Sequence, residues 1–177
     1  MPKMLKNPHP KRRSFMQAGW SALSVALLPP SVWAHGDRPH TPASGPVRQE
    51  QKPWGISGKA TQVRRTVTIR MTDAMRFEPA HLSVRQGDTL RLVLVNSGQM
   101  LHEFVLGTPQ ELAEHAELMK KFPNMEHDEP YMAHVPAGQR GEIIWTFNRA
   151  GHFQFACLLP GHYEAGMVGT VEVKSQK

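Results

Sequence analysis

From about Val63 onward, apolar and polar residues alternate in short runs separated by turn formers. Thr66-Val67-Thr68-Ile69-Arg70 is β-branched and alternating, and Leu82-Ser83-Val84 runs into a Gln86-Gly87-Asp88 turn. Thr89-Leu90-Arg91-Leu92-Val93-Leu94-Val95 reads as a strong strand stopped by Asn96-Ser97-Gly98. Further strands are expected over 142–147, 151–157 and 168–173. A side-chain period of two, broken repeatedly by Gly, Asn and Pro, predicts an all-β sandwich with Greek-key connections. One segment departs from that period. Thr108-Pro109-Gln110-Glu111 is a capping box with Pro at the first helical position, and Leu112, His115, Ala116 and Met119 follow at helical spacing. A short helical insertion is therefore expected around 108–122, and 123–138 reads as a loop.

The first 60 residues lack this patterning. Lys11-Arg12-Arg13-Ser14-Phe15-Met16 closes a basic stretch, an apolar run from Ala18 to Leu28 follows, and Val32-Trp33-Ala34 offers a small-residue cleavage end. Residues 1–34 are read as a signal peptide, and the paired arginines before Ser-Phe-Met resemble a twin-arginine signal. An ordinary secretory signal is the alternative. The apolar run falls short of the ~20 residues a spanning helix needs, so no stable membrane insertion is expected after cleavage. Residues 35–60, rich in Pro, Gly, Ser and charge, read as a flexible N-terminal arm, leaving 61–177 as the folded domain.

The net charge of +6 alters little once the leader is set aside. The first 34 residues carry five of the 21 basic residues and no acidic one, leaving 16 basic against 15 acidic. No basic run remains, so nucleic-acid binding loses its support. The cysteine count matters more. Cys157 is the only cysteine, and a lone thiol in an oxidising compartment is a hazard unless it is buried or holds a metal.

Its neighbours favour metal. Alternation puts Cys157 on the face of Phe153 and Phe155, pointing its sulfur into the sandwich. His162 follows five residues on and Met167 five further, with Pro160-Gly161 and Gly166 bending the loop; a second imidazole is available at His102. A soft thiolate, two imidazoles and a weak axial thioether suit copper in both oxidation states. The alternative for Met167 is a core methionine. Cys-x4-His-x4-Met after a Phe-x-Phe strand resembles the cupredoxins over roughly residues 61–175. That resemblance implies a cupredoxin-like sandwich whose type 1 copper is held by His102, Cys157, His162 and Met167. Multicopper oxidases and copper nitrite reductases set histidines beside this cysteine; Ala156 and Leu158 stand there instead, so no catalytic cluster and no enzyme activity is expected. Small electron-transfer cupredoxins usually follow the first ligand with Asn, whereas this chain has Glu103.

Seven methionines and nine histidines remain beyond residue 34, more than one copper needs. His115 and Met119 share a helix face, and Met125, His127, Met132 and His134 follow in the expected loop. Together they form a candidate second copper site, against the plainer reading that Leu112, Ala116 and Met119 pack the helix on the sandwich. His35 and His40 form a candidate N-terminal site if cleavage falls after Ala34. The stretches Phe77-Glu78-Pro79, Leu101-His102-Glu103-Phe104, 124–130 and Cys157-Leu158-Leu159-Pro160-Gly161-His162 resemble the periplasmic copper-tolerance cupredoxins of the CopI type. This implies copper tolerance in the periplasm, with copper ions as ligand and a periplasmic redox protein or copper-exporter component as partner. A diffusible electron carrier is the competing expectation.

Overall fold

Two five-stranded sheets stack face to face because each presents one apolar row inward and one polar row outward. The computed structural model describes residues 49–123 and 128–176. In chain order the strands are β1 (Ile56–Ser57), β2 (Arg65–Thr72), β3 (Arg76–Glu78), β4 (His81–Arg85), β5 (Asp88–Asn96) and β6 (His102–Gly107). Helix α1 (Pro109–Lys121) follows, then β7 (Met132–Val135), β8 (Arg140–Phe147), β9 (Gly151–Ala156) and β10 (Val168–Lys174). One sheet has the order β1-β8-β5-β2-β3 and the other β4-β10-β9-β6-β7. Each is mixed: β2 runs parallel to β5 and β4 parallel to β10, and the other pairs are antiparallel. The chain changes sheet at β3–β4, β4–β5, β5–β6, β7–β8 and β8–β9, as a Greek-key sandwich requires.

Inward rows from both sheets meet in one core. Leu90, Leu92 and Leu94 of β5 pack with Ile69 and Met71 of β2, Trp145 and Phe147 of β8, and Phe104 and Phe155 from the facing sheet. Phe77, Phe104 and Phe155 form an aromatic cluster with ring centroids 5.0–5.9 Å apart. Cys157 and Met167 belong to this same core, so the candidate metal ligands sit at one end of the sandwich.

Helix α1 begins where its sequence says it should. Thr108 accepts from the Glu111 amide, the Glu111 carboxylate accepts from the Thr108 amide, and Pro109 opens the first turn. Leu112, Ala116 and Met119 form its buried stripe and lie in a second apolar cluster with Val105, Met132, Ala156 and Leu158, on the outer side of β6 and β9. Covering that outer side buries all six residues of β6.

Two regions differ from the sequence expectation. Part of the stretch read as a flexible arm is tied to the sandwich: β1 pairs with β8, Trp54 is buried, and the Trp145 indole donates to the Trp54 carbonyl at 3.0 Å. The stretch read as a loop over 123–138 contains β7, which pairs with β6 by setting Glu103 opposite His134 and Val105 opposite Met132. Met132 is buried in the cluster beneath α1, where it fills core space.

Candidate metal centre

Strand β9 ends at Ala156, and Cys157 follows with its side chain in the core. The backbone then turns back on itself. The Met167 amide donates to the His162 carbonyl at 3.0 Å and the Cys157 amide to the Met167 carbonyl at 3.1 Å, so residues 157, 162 and 167 close on one another. Gly161 (φ +88°) and Gly166 (φ +84°) take left-handed turns within this loop that would strain other residues. The loop is braced from outside. Glu164 accepts from the Gly161 amide at 3.0 Å and pairs with Lys120 of α1 at 2.7 Å. Arg76 of β3 donates to the Ala165 carbonyl at 3.0 Å.

The remaining candidate ligand arrives on β6. His102 is fully buried at its first residue. Its Nε2 lies 3.1 Å from Asp73 Oδ1, in the turn between β2 and β3. The Asp73 carboxylate also takes the Gln99 amide at 2.7 Å. Donation from Nε2 fixes the tautomer and leaves Nδ1 with a lone pair. That Nδ1 is buried and has no hydrogen-bond partner. Asn96 shapes the loop leading to it, donating to the carbonyls of Met100 (2.7 Å) and Val135 (2.8 Å).

One ligand atom each from His102, Cys157 and His162 lies within 4.8 Å of the others, and no other group of three or more His, Cys, Asp or Glu residues among the described residues meets that condition. Cys157 Sγ and His162 Nδ1 are 3.2 Å apart, and the two imidazole rings are 5.1 Å apart between centroids. A buried imidazole nitrogen with nothing to bond costs free energy unless a cation occupies the space it faces. Two nitrogens and a thiol converging in an apolar pocket form the donor set that suits copper, so the residues present fit that metal.

Electrostatics point the same way. Burial pushes the Cys157 thiol up to about 12 despite backbone amide donation from Glu103 and Leu159, with the Glu103 carboxylate adding to the rise. A metal must therefore displace that proton, and it supplies the positive charge that the buried thiolate lacks. Burial first, and then the neighbouring His102, lowers the His162 pKa and favours its neutral, metal-binding form. The backbone amide of Gln99, ahead of the His102 ring, lowers the Asp73 pKa.

Met167 is fully buried within the same core as Cys157. Of the residues expected for a second site, Met119 and Met132 lie together in the apolar cluster under α1, with exposures of 2% and 7%. His115 sits half-buried on α1, and His134 Nε2 lies 3.2 Å from the buried Glu103 carboxylate. Met125, His127, His35 and His40 lie outside the described residues.

Sequence reasoning missed two carboxylates. Asp73 lies 29 residues before His102, and nothing in its local pattern marks it. Glu103 stood out only as a departure from the usual Asn. Its own amide donates to Cys157 Sγ at 3.3 Å, and its Oε2 accepts from the Leu158 amide at 3.2 Å. A charged residue directly after a candidate ligand, in a strand otherwise made of apolar residues, was the available signal.

Residues 63–174 match the family model described as copper binding proteins of the plastocyanin/azurin family. The chain is 52% identical over 122 residues to the copper-resistant cuproprotein CopI of Rubrivivax gelatinosus, covering 69% of this chain and 74% of that one. It is 33% identical to the copper-resistant cuproprotein CopI of Pseudomonas aeruginosa, covering 68% and 82% respectively. Among solved structures, auracyanin B superposes with a TM-score of 0.57 at 24% identity, covering 70% of this chain and 96% of that one. An azurin of Methylomonas sp. strain J gives 0.52 at 15%, covering 65% and 100%. These two structures share the fold.

Proposed function

The chain belongs to the plastocyanin/azurin family of copper-binding proteins, and from that premise we propose that it is an exported copper-tolerance protein built around one type 1 copper. His102, Cys157, His162 and Met167 would hold that copper through two imidazole nitrogens, a thiolate and a thioether. The observation that carries this reading is the cluster of one ligand atom each from His102, Cys157 and His162 within 4.8 Å, with His102 Nδ1 buried and unbonded. Copper bound there supplies one-electron chemistry between Cu(I) and Cu(II). The chain's own groups do the rest: Asp73 orients one imidazole, the Glu103 amide steadies the sulfur, and the Phe77–Phe104–Phe155 cluster excludes water.

Tolerance is supported by the names and identities of the CopI relatives, and export to the periplasm by the basic, apolar and small-residue order of the first 34 residues. Among the described residues no helix is long and apolar enough to cross a membrane. Both neighbours of Cys157 are buried and apolar, which supports a binding role without catalysis. Copper ions are the ligand, and a periplasmic redox protein or copper-exporter component is the partner class.

A second reading, a diffusible electron carrier, is favoured by the partial exposure of His162 and by Met100 and Leu101, both 42% exposed just ahead of His102. Deleting the gene separates the two. Copper sensitivity with normal respiration supports tolerance, and impaired respiration with normal copper growth sinks it. For the centre itself, Cys157→Ser is expected to abolish the intense visible thiolate band of the copper-loaded protein. An unchanged spectrum in that variant would contradict the ligand assignment.

A further inference from the structure

The Glu103 side chain is fully buried, and strand alternation from the core-facing Phe104 sets it on the outer side of β6. Burying a carboxylate there is costly unless its oxygens are engaged. One oxygen is accounted for, since Oε2 takes the Leu158 amide at 3.2 Å. The other, Oε1, lies 3.2 Å from His134 Nε2 on the adjoining strand, without the alignment of a hydrogen bond. The β6–β7 register sets these two residues directly opposite each other, so the approach is dictated by strand pairing. His134 is itself 23% exposed, so the pair runs from the protein surface to the peptide group following Cys157.

We propose that Glu103 and His134 act together as positioning residues for the copper thiolate. The carboxylate holds the Leu158 amide, the Glu103 amide holds the sulfur, and the His134 ring fixes the carboxylate from the strand beyond. An Asn at position 103 would be one methylene shorter, so the second contact depends on the longer side chain. The carboxylate also lies one hydrogen bond from the peptide group that follows Cys157, and a negative charge near the sulfur favours the more highly charged Cu(II) state. His134, placed by its sequence among candidate second-site ligands, thereby takes a role in the type 1 centre.

This rests on the type 1 reading above, and the test separates the two. The copper-loaded wild type, Glu103→Gln, His134→Gln and the double variant are compared by visible and electron paramagnetic resonance spectra, reduction potential and copper affinity in a chelator competition. Glu103→Gln keeps an acceptor for the Leu158 amide and removes the charge. It is expected to keep one copper and the thiolate band while raising the potential. His134→Gln is expected to shift the band and weaken copper binding about tenfold, the lower end for groups that support a ligand. The double variant should fall short of the sum of the singles, because each removes the same link. Apo-protein melting serves as the control, since a merely structural role lowers it without moving band or potential.

Additive effects, or a His134→Gln protein with wild-type spectrum, potential and affinity, would overturn the proposal. So would a second copper per chain that both single variants lose, which would make the pair a metal site. A wild type lacking any thiolate band would instead defeat the type 1 assignment itself.

Discussion

Asp73 reaches the site from the turn between β2 and β3 and does two jobs with one carboxylate, capping the Gln99 amide and orienting His102. Gly98 makes the approach possible, because a β-carbon there would collide with the Asp73 carboxylate. Asp73→Ala is expected to lower copper affinity by about 10–100-fold, read by competition with a chelator of known strength. Met167→Leu tests the proposed thioether ligand differently. The leucine fills similar volume, so the thiolate band should persist, while the loss of a weak thioether donor should raise the potential. Loss of the band in that variant would mean that Met167 is needed to build the site and does more than tune it. The convergence of Cys157 and His162 was legible in the sequence because both lie on one loop at fixed spacing. Asp73 was not, because its role comes from a chain crossing that only the folded sandwich brings about.

At the scale of elements, legibility follows burial on one face or two. Strand β5 buries alternate residues for most of its length, and β8 and β10 behave likewise, so a period of two was visible in each. Strand β6 buries every residue, because the core covers one face and α1 the other, and its pattern carries no period at all. That is why no strand is expected from the sequence over 102–107, although His102 begins one. Strands β1, β3 and β7 span two to four residues each, too short for alternation to show. Helix α1 was legible from both its cap and its apolar stripe. Since the cap hydroxyl accepts from the Glu111 amide at 3.2 Å, Thr108→Ala should cost roughly 1 kcal/mol. Urea unfolding of the apo protein measures that loss. The spectrum of the copper-loaded variant should stay as it was, since α1 supplies none of the proposed ligands. A changed band would show that the Lys120–Glu164 contact transmits the helix position to the ligand loop.

Across the whole domain, the proposed site draws on parts of the chain that are far apart in sequence. One imidazole comes from the start of β6 and the remaining ligands from the loop between β9 and β10, while the orienting carboxylate belongs to the opposite sheet. In an unfolded chain these groups do not converge, so copper binds the folded state far more tightly and stabilises it by mass action. The core is built mainly from apolar side chains that are not ligands, the aromatic cluster and the leucines of β5 among them. Removing copper should therefore leave a folded domain that melts cooperatively at a lower temperature. At free copper a thousandfold above the dissociation constant the difference is about 4 kcal/mol, or roughly 15 °C for a domain of this size. Differential scanning calorimetry of the loaded and chelated protein reads it directly. In Cys157→Ser the difference should shrink sharply, because the thiolate is the strongest donor in the set. An equal shift in both proteins would place the stabilising copper elsewhere, and an apo protein with no melting transition would show that the metal, not the core, holds the sandwich together.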